Sequence, residues 1–287
     1  MTPSLTDTEQ QQIDRANASG LQPVVFVHGF WLLANSWENW RAYYEAQGYT
    51  TLAPGWPDEP ETTQEANQDP EVLAHQRLKH VTDHYVAAIG QLQRKPVVIG
   101  HSFGGLIAEQ IADHGVAAAT VAISPAAFRG ILLLPLSQLK VVSPVLRNPL
   151  NVGKALPLTF EQFQYGFANE LDEAEARQLY DAYAVPVAGT LVFQGALANV
   201  NPWTEDTVDT GNPDRGPLLI IAAEKDHTIP VSLSEAAYKR QQKNPGVTQY
   251  REMLGKGHSL AMDHGWQEVA DVALAFMKEQ APANQSS

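Results

Sequence analysis

The chain has 287 residues, 44% of them hydrophobic, enough to bury one large core, and no stretch reads as a mid-chain linker. A formal net charge of −13 with no basic patch argues against nucleic acid or an anionic membrane as partner, because phosphate surfaces would repel it. The absence of cysteine excludes disulfides, thiolate metal sites and a cysteine nucleophile.

Residues 1–20 are polar and lack strand periodicity, which predicts a tail or a surface helix. They carry no apolar segment behind a basic start, so no secretory signal is expected and the reading is a cytoplasmic protein. No run reaches the ~18 apolar residues of a membrane span.

Pro23-Val24-Val25-Phe26-Val27 then reads as a fully buried strand ending at His28-Gly29. Residues 35–47 place Trp37, Trp40, Tyr43, Tyr44 and Gln47 on one helical face, and residues 49–54 read as a second strand closed by Pro54. Residues 62–68 read as polar loop. Residues 70–92 read as one long helix carrying His75, His80 and His84 on a solvated face, without the intervening Glu of a metalloprotease pair. Val97-Val98-Ile99 is the next strand, followed by a helix over 104–114 with His114 at its end, and by Ala119-Thr120-Val121-Ala122-Ile123.

The alternation breaks between 127 and 212, where helical pieces (161–169 and 172–183), six prolines and an aromatic-rich set describe an insertion. It resumes with a strand over 217–223, a helix over 231–243, a weaker strand over 247–253 and a last helix over 263–279. Residues 281–287 are expected to be a disordered tail. Strands joined by helices of this length imply an α/β fold: about six mainly parallel strands covered by helices on both faces. The implied organisation is a core of residues 21–126 and 213–280, interrupted by the 127–212 insertion and flanked by tails at 1–20 and 281–287.

Ligands of such sheets sit beyond the carboxyl ends of the strands, and Ser102 falls there. Gly100-His101-Ser102-Phe103-Gly104 lies between a strand and a helix, with glycines where the backbone must fold tightly to hold a hydroxyl out of the turn. A serine hydroxyl is a weak nucleophile and needs a base oriented by an acid. Asp226 follows the late strand, and His258 lies in the glycine-flanked turn Gly255-Lys256-Gly257-His258-Ser259. His227 and His264 rival His258 because each adjoins an aspartate; chain order favours His258, and an accessory role for either rival stays open. His101 sits inside the turn and would point away from Ser102. Developing negative charge needs fixed donors, for which the backbone N–H groups of Phe103 and Phe30 are positioned, Phe30 by following His28-Gly29.

With His28-Gly29-Phe30, Gly100-His101-Ser102-Phe103-Gly104-Gly105, Asp226 and Gly257-His258 in this order, the chain resembles the α/β-hydrolase superfamily over residues 23–280. The G-x-S-x-G-G form is similar to the branch of cofactor-free perhydrolases, haloperoxidases and carboxylesterases. The resemblance implies ester hydrolysis through an acyl-enzyme, with no cofactor or metal and a small-molecule substrate. It also makes residues 127–212 an α-helical cap over the site. One departure stands out: the family's antiparallel strand pair ahead of the first parallel strand has no counterpart in residues 1–20. A nucleophilic Asp, as in the dehalogenases and epoxide hydrolases, is absent because Ser102 holds that position.

Trp31, Tyr165, Phe167 and Trp203 are candidates for an apolar substrate pocket beside Phe30 and Phe103. Peroxide or an alcohol in place of water, a lactone substrate or carbon–carbon cleavage would use the same residues. A non-catalytic small-ligand-binding protein on the same scaffold is the alternative of a different class.

Overall fold

A computed structural model describes residues 4–281; the expected C-terminal tail, from 282 onward, lies outside the described residues. Its centre is a six-stranded sheet formed by β1 (Pro23–Val27), β2 (Thr50–Leu52), β3 (Val97–His101), β4 (Ala119–Ile123), β7 (Leu218–Ala223) and β8 (Thr248–Met253). The order is β2-β1-β3-β4-β7-β8 and every pairing is parallel. A further short pair, β5 (Ala155–Leu156) and β6 (Val187–Ala188), is antiparallel and lies in the insertion.

The period-2 geometry of a strand sends alternate side chains to opposite faces, so a strand covered on both sides reads as an unbroken apolar run. Val25 and Val27 of β1 join one core with α1 (Asp7–Ser19), α4 (Leu78–Ile89), α5 (Phe103–Asp113) and α10 (Val231–Gln241). Val24 and Phe26 join the other, with α2 (Glu38–Ala46) and α11 (Trp266–Gln280). After β2 the chain returns to the far side of β1 to form β3. The strand order therefore reverses between β1 and β3, and the crevice beyond their ends is where such sheets bind ligands.

The N-terminal segment is a helix packed on the core, not a tail: Ile13 and Ala16 are buried, and Thr6 with Glu9 forms a capping box at its start. Thr62-x-x-Glu65 does the same for α3 (Thr63–Gln68), where a loop was expected; the reciprocal cap outweighs the polar composition. The long helix expected over 70–92 is two pieces, a 3₁₀ turn at Pro70–Leu73 and then α4. His75 lies outside α4, and His84 is buried rather than solvated, bonded through Nε2 to Glu9 at 2.8 Å.

The insertion holds α6 (Leu136–Leu146), α7 (Phe160–Gly166), α8 (Glu173–Tyr183) and α9 (Gly189–Leu197). Phe160, Phe163, Phe167, Val141 and Val145 build its own apolar cluster, which joins the sheet's loops through Trp31, Leu32 and Met262. No helix among the described residues is long and apolar enough to cross a membrane.

Candidate active site

Ser102 stands between β3 and α5 with φ 60° and ψ −122°, a backbone conformation that costs about 1–3 kcal/mol and persists only where the surroundings impose it. They do so here by close packing. A Cβ on Gly100 would overlap the Gly104 carbonyl, and one on Gly104 would overlap the carbonyls of Val27 and His28. The helix start can therefore press against β1 only with glycine at both positions.

The Ser102 hydroxyl donates to His258 Nε2 at 2.9 Å, and His258 Nδ1–H donates to Asp226 Oδ2 at 2.7 Å. The His258 and Asp226 side chains are fully buried. The second oxygen of Asp226 accepts from the amides of Thr228 (2.8 Å) and Ile229 (2.7 Å), which fixes the carboxylate plane. Three residues from three distant loops thus form one continuous chain of hydrogen bonds, an arrangement able to activate a hydroxyl and carry its proton.

His227 and His264 are not part of it. His227 Nδ1 bonds the Tyr165 carbonyl at 2.9 Å, and His264 Nδ1 bonds Glu175 at 2.8 Å on the surface. His101 turns away from Ser102, yet its Nε2–H donates to the main-chain carbonyl of His258 at 2.9 Å. Burial, with a smaller contribution from neighbouring His258, holds the His101 ring well below the usual imidazole pKa, so it is a neutral tether.

Gly29 lets the loop after β1 approach Ser102: a Cβ there would sit 2.8 Å from Ser102 Cβ and from the His101 carbonyl. The Phe30 and Phe103 rings stack face to face with centroids 4.0 Å apart, which brings the two backbone segments side by side above Ser102. Phe103 is the first residue of α5, where amides lack intrahelical acceptors and the helix dipole favours negative charge. Trp31, next to Phe30, also has a positive φ of 60°. Two unforeseen residues brace this loop: His28 Nε2 bonds Glu59 Oε2 at 3.0 Å and its ring stacks on Trp56 at 4.7 Å. Nothing in the periodicity around Glu59 marks that partnership.

A cavity of about 250 Å³ opens onto Ser102. Phe30, Trp31 and Phe103 form its floor, and most of its wall comes from the insertion, including Ile131, Leu139 and Val142. Of the four pocket candidates only Trp31 lines it. Phe167 is buried behind the site, edge-on to His258 at 4.8 Å, because it belongs to the aromatic core of α7. Tyr165 packs on His227 and under Lys140, and Trp203 is 85% exposed on the outer surface. The wall contains one carboxylate that no sequence motif marks. Asp206 is fully buried, and burial pushes its pKa up to about 6. Its Oδ2 accepts from Thr204 while Oδ1 has no protein partner.

No curated protein matches the chain in sequence. Among solved structures it is similar to a monoacylglycerol lipase of Paleococcus ferrophilus (TM-score 0.60, 19% identity, 90% of this chain and 95% of that one). It is also similar to a thermophilic esterase from Thermogutta terrifontis (0.63, 16%, 90% and 90%) and to an extracellular alpha/beta-hydrolase from a Paenibacillus species (0.61, 18%, 88% and 98%). At these identities the likeness is one of fold. The sequence itself matches the alpha/beta hydrolase family over residues 24–272, most of its length, and the chain belongs to that family.

Proposed function

We propose that this chain is a serine hydrolase that cleaves an ester of a small, fairly apolar substrate through an acyl-enzyme. The observation that carries the reading is the buried run of hydrogen bonds from Ser102 through His258 to Asp226, at the floor of a mainly apolar cavity. Membership of a hydrolase family supports it, as do structural neighbours described as an esterase and a lipase.

In the proposed cycle Ser102 Oγ attacks the ester carbonyl as its proton passes to His258 Nε2. Asp226 holds the imidazole in the required tautomer and stabilises its charge. The carbonyl oxygen, now an oxyanion, receives hydrogen bonds from the Phe30 and Phe103 amides at the α5 terminus. Collapse of the tetrahedral species breaks the carbon–oxygen bond, and the leaving alkoxide takes the proton from Nε2. A water deprotonated by His258 then attacks the acyl-Ser102 carbonyl, releasing the acid and restoring the hydroxyl. Residues 127–212 act as a cap, since they supply most of the cavity wall and so set the shape of the accepted acyl or alcohol group.

Replacing Ser102 with Ala is expected to abolish turnover of p-nitrophenyl esters with the fold intact. Undiminished turnover would remove the proposal.

A further inference from the structure

Many of the large apolar side chains that face solvent fall in two segments of the insertion, residues 132–139 and 197–203, each of which also supplies cavity-lining residues (Leu133, Leu134 and Leu139 from the first, Ala198 and Asn199 from the second). Leu132 (76% exposed), Leu134 (67%), Leu136 (84%), Val200 (75%) and Trp203 (85%) all belong to the insertion. They form one surface because two loops are tied together: Asn199 Oδ1 accepts from the Gly130 amide at 2.6 Å, Asn199 Nδ2 donates to the Ile131 carbonyl at 2.7 Å, and Arg129 bonds the Pro202 carbonyl at 3.1 Å. Leu134 is at once a surface residue and part of the cavity wall, so the patch runs continuously into the pocket above Ser102. Contiguous exposed apolar surface of this kind marks a binding face on a soluble protein.

Charge is segregated onto the same element. In a chain of net −13, residues 114–160 contain no Asp or Glu and four bases, Arg129, Lys140, Arg147 and Lys154, all exposed. Glu205, two positions after Trp203, is turned to Arg77 at 2.8 Å. A symmetric dimer through this face would bring like charges together and shut the cavity. A zwitterionic lipid surface suits both features: bases meet headgroup phosphates, leucines and an indole enter the interface, and the pocket opens into the layer. The net charge of the whole chain disfavours strongly anionic surfaces.

We propose that the cap face around Leu132, Leu136 and Trp203 docks on a zwitterionic lipid surface, from which a lipid-borne ester enters the cavity. The docking stands on the surface alone; the identity of the substrate as a lipid ester rests on the serine-hydrolase reading.

The test is flotation of the full chain with phosphatidylcholine vesicles, together with tryptophan emission. Trp31, Trp37, Trp40 and Trp56 are buried and Trp266 is half-buried, so Trp203 dominates any change on contact with lipid. Wild type and Ser102→Ala should both float, with a blue shift that Trp203→Phe removes. Leu132→Glu combined with Leu136→Glu should weaken partition by about tenfold or more while turnover of a water-soluble short-chain ester is retained. The proposal is overturned if wild type stays in the aqueous fraction, if the double variant floats equally well, or if sedimentation shows a dimer that the double variant dissociates. Failure of the hydrolase reading would appear separately, as ester turnover that survives Ser102→Ala beside unchanged flotation.

Discussion

His101 Nε2 donates to the main-chain carbonyl of His258, 2.9 Å away, so the residue preceding the proposed nucleophile holds the backbone of the proposed base. The two rings lie 4.7 Å apart, and His101 is buried. Because the ring is neutral and tethered, His101 reads as a positioning residue for Nε2 of His258. His101→Leu removes the donor and should lower kcat about tenfold with KM little changed, since sub-ångström misplacement acts on the chemical step. His101→Gln, which can still donate, should recover part of the loss. Equal kcat values for wild type and the leucine variant would contradict this role.

Gly29→Ala tests the proposed oxyanion role of the loop after β1. The added methyl would stand 2.8 Å from Ser102 Cβ and from the His101 carbonyl, so the Phe30 segment must retreat from the site. Losing one oxyanion donor costs about 10² to 10³ in kcat. Steady-state kinetics should show a loss of that order, with circular dichroism reporting the sheet unchanged.

Asp226→Asn keeps the size of the side chain but gives up one of two acceptors. Asp226 accepts from the amides of Thr228 and Ile229 through one oxygen and from His258 through the other. The amide nitrogen of Asn facing Nδ1 would force the wrong imidazole tautomer, with a fall in kcat of about 10⁴. A loss below tenfold would show that His258 does not depend on this carboxylate.

Glu109 offers a test of stability away from the site. It is fully buried in α5, accepts from Gln241 Nε2 at 2.9 Å, and burial raises its pKa to about 8. A carboxyl with a raised folded-state pKa contributes its full stability below its unfolded value and loses it as pH rises through the folded one. The loss therefore falls between about pH 4.5 and about pH 8. Glu109→Gln keeps the acceptor without the ionisation. Its stability relative to wild type, measured by urea unfolding, should grow across that window by about 1.4 kcal/mol per pH unit, about 5 kcal/mol in all. A difference that stays flat with pH would contradict the buried neutral carboxyl.

The sheet was legible because both of its faces are covered: β1, β3, β4 and β7 appear as unbroken runs such as Val24 to Val27, and the residues at their ends point to the site. Ser102, Asp226 and His258 each follow a strand, which makes their convergence readable in the sequence. The cavity was not legible, because its wall comes from a proline-rich insertion without a clean period. Aromatic type also failed as a guide there: Phe167 serves the core of α7 and Trp203 the outer surface. His84 reads as part of a solvated face in the sequence because its partner Glu9 lies 75 positions away, in a polar segment without strand periodicity. Capping at Thr62 and Glu65 was written in the sequence and was masked by the polar composition around it.

The most direct measurement of the central claim is active-site labelling with a fluorophosphonate, followed by peptide mass mapping. The account predicts one adduct, on Ser102, with the rate of labelling lowered by about 10² or more in His258→Ala because the hydroxyl loses its base. An adduct on any other residue, or undiminished labelling of Ser102→Ala, would contradict it.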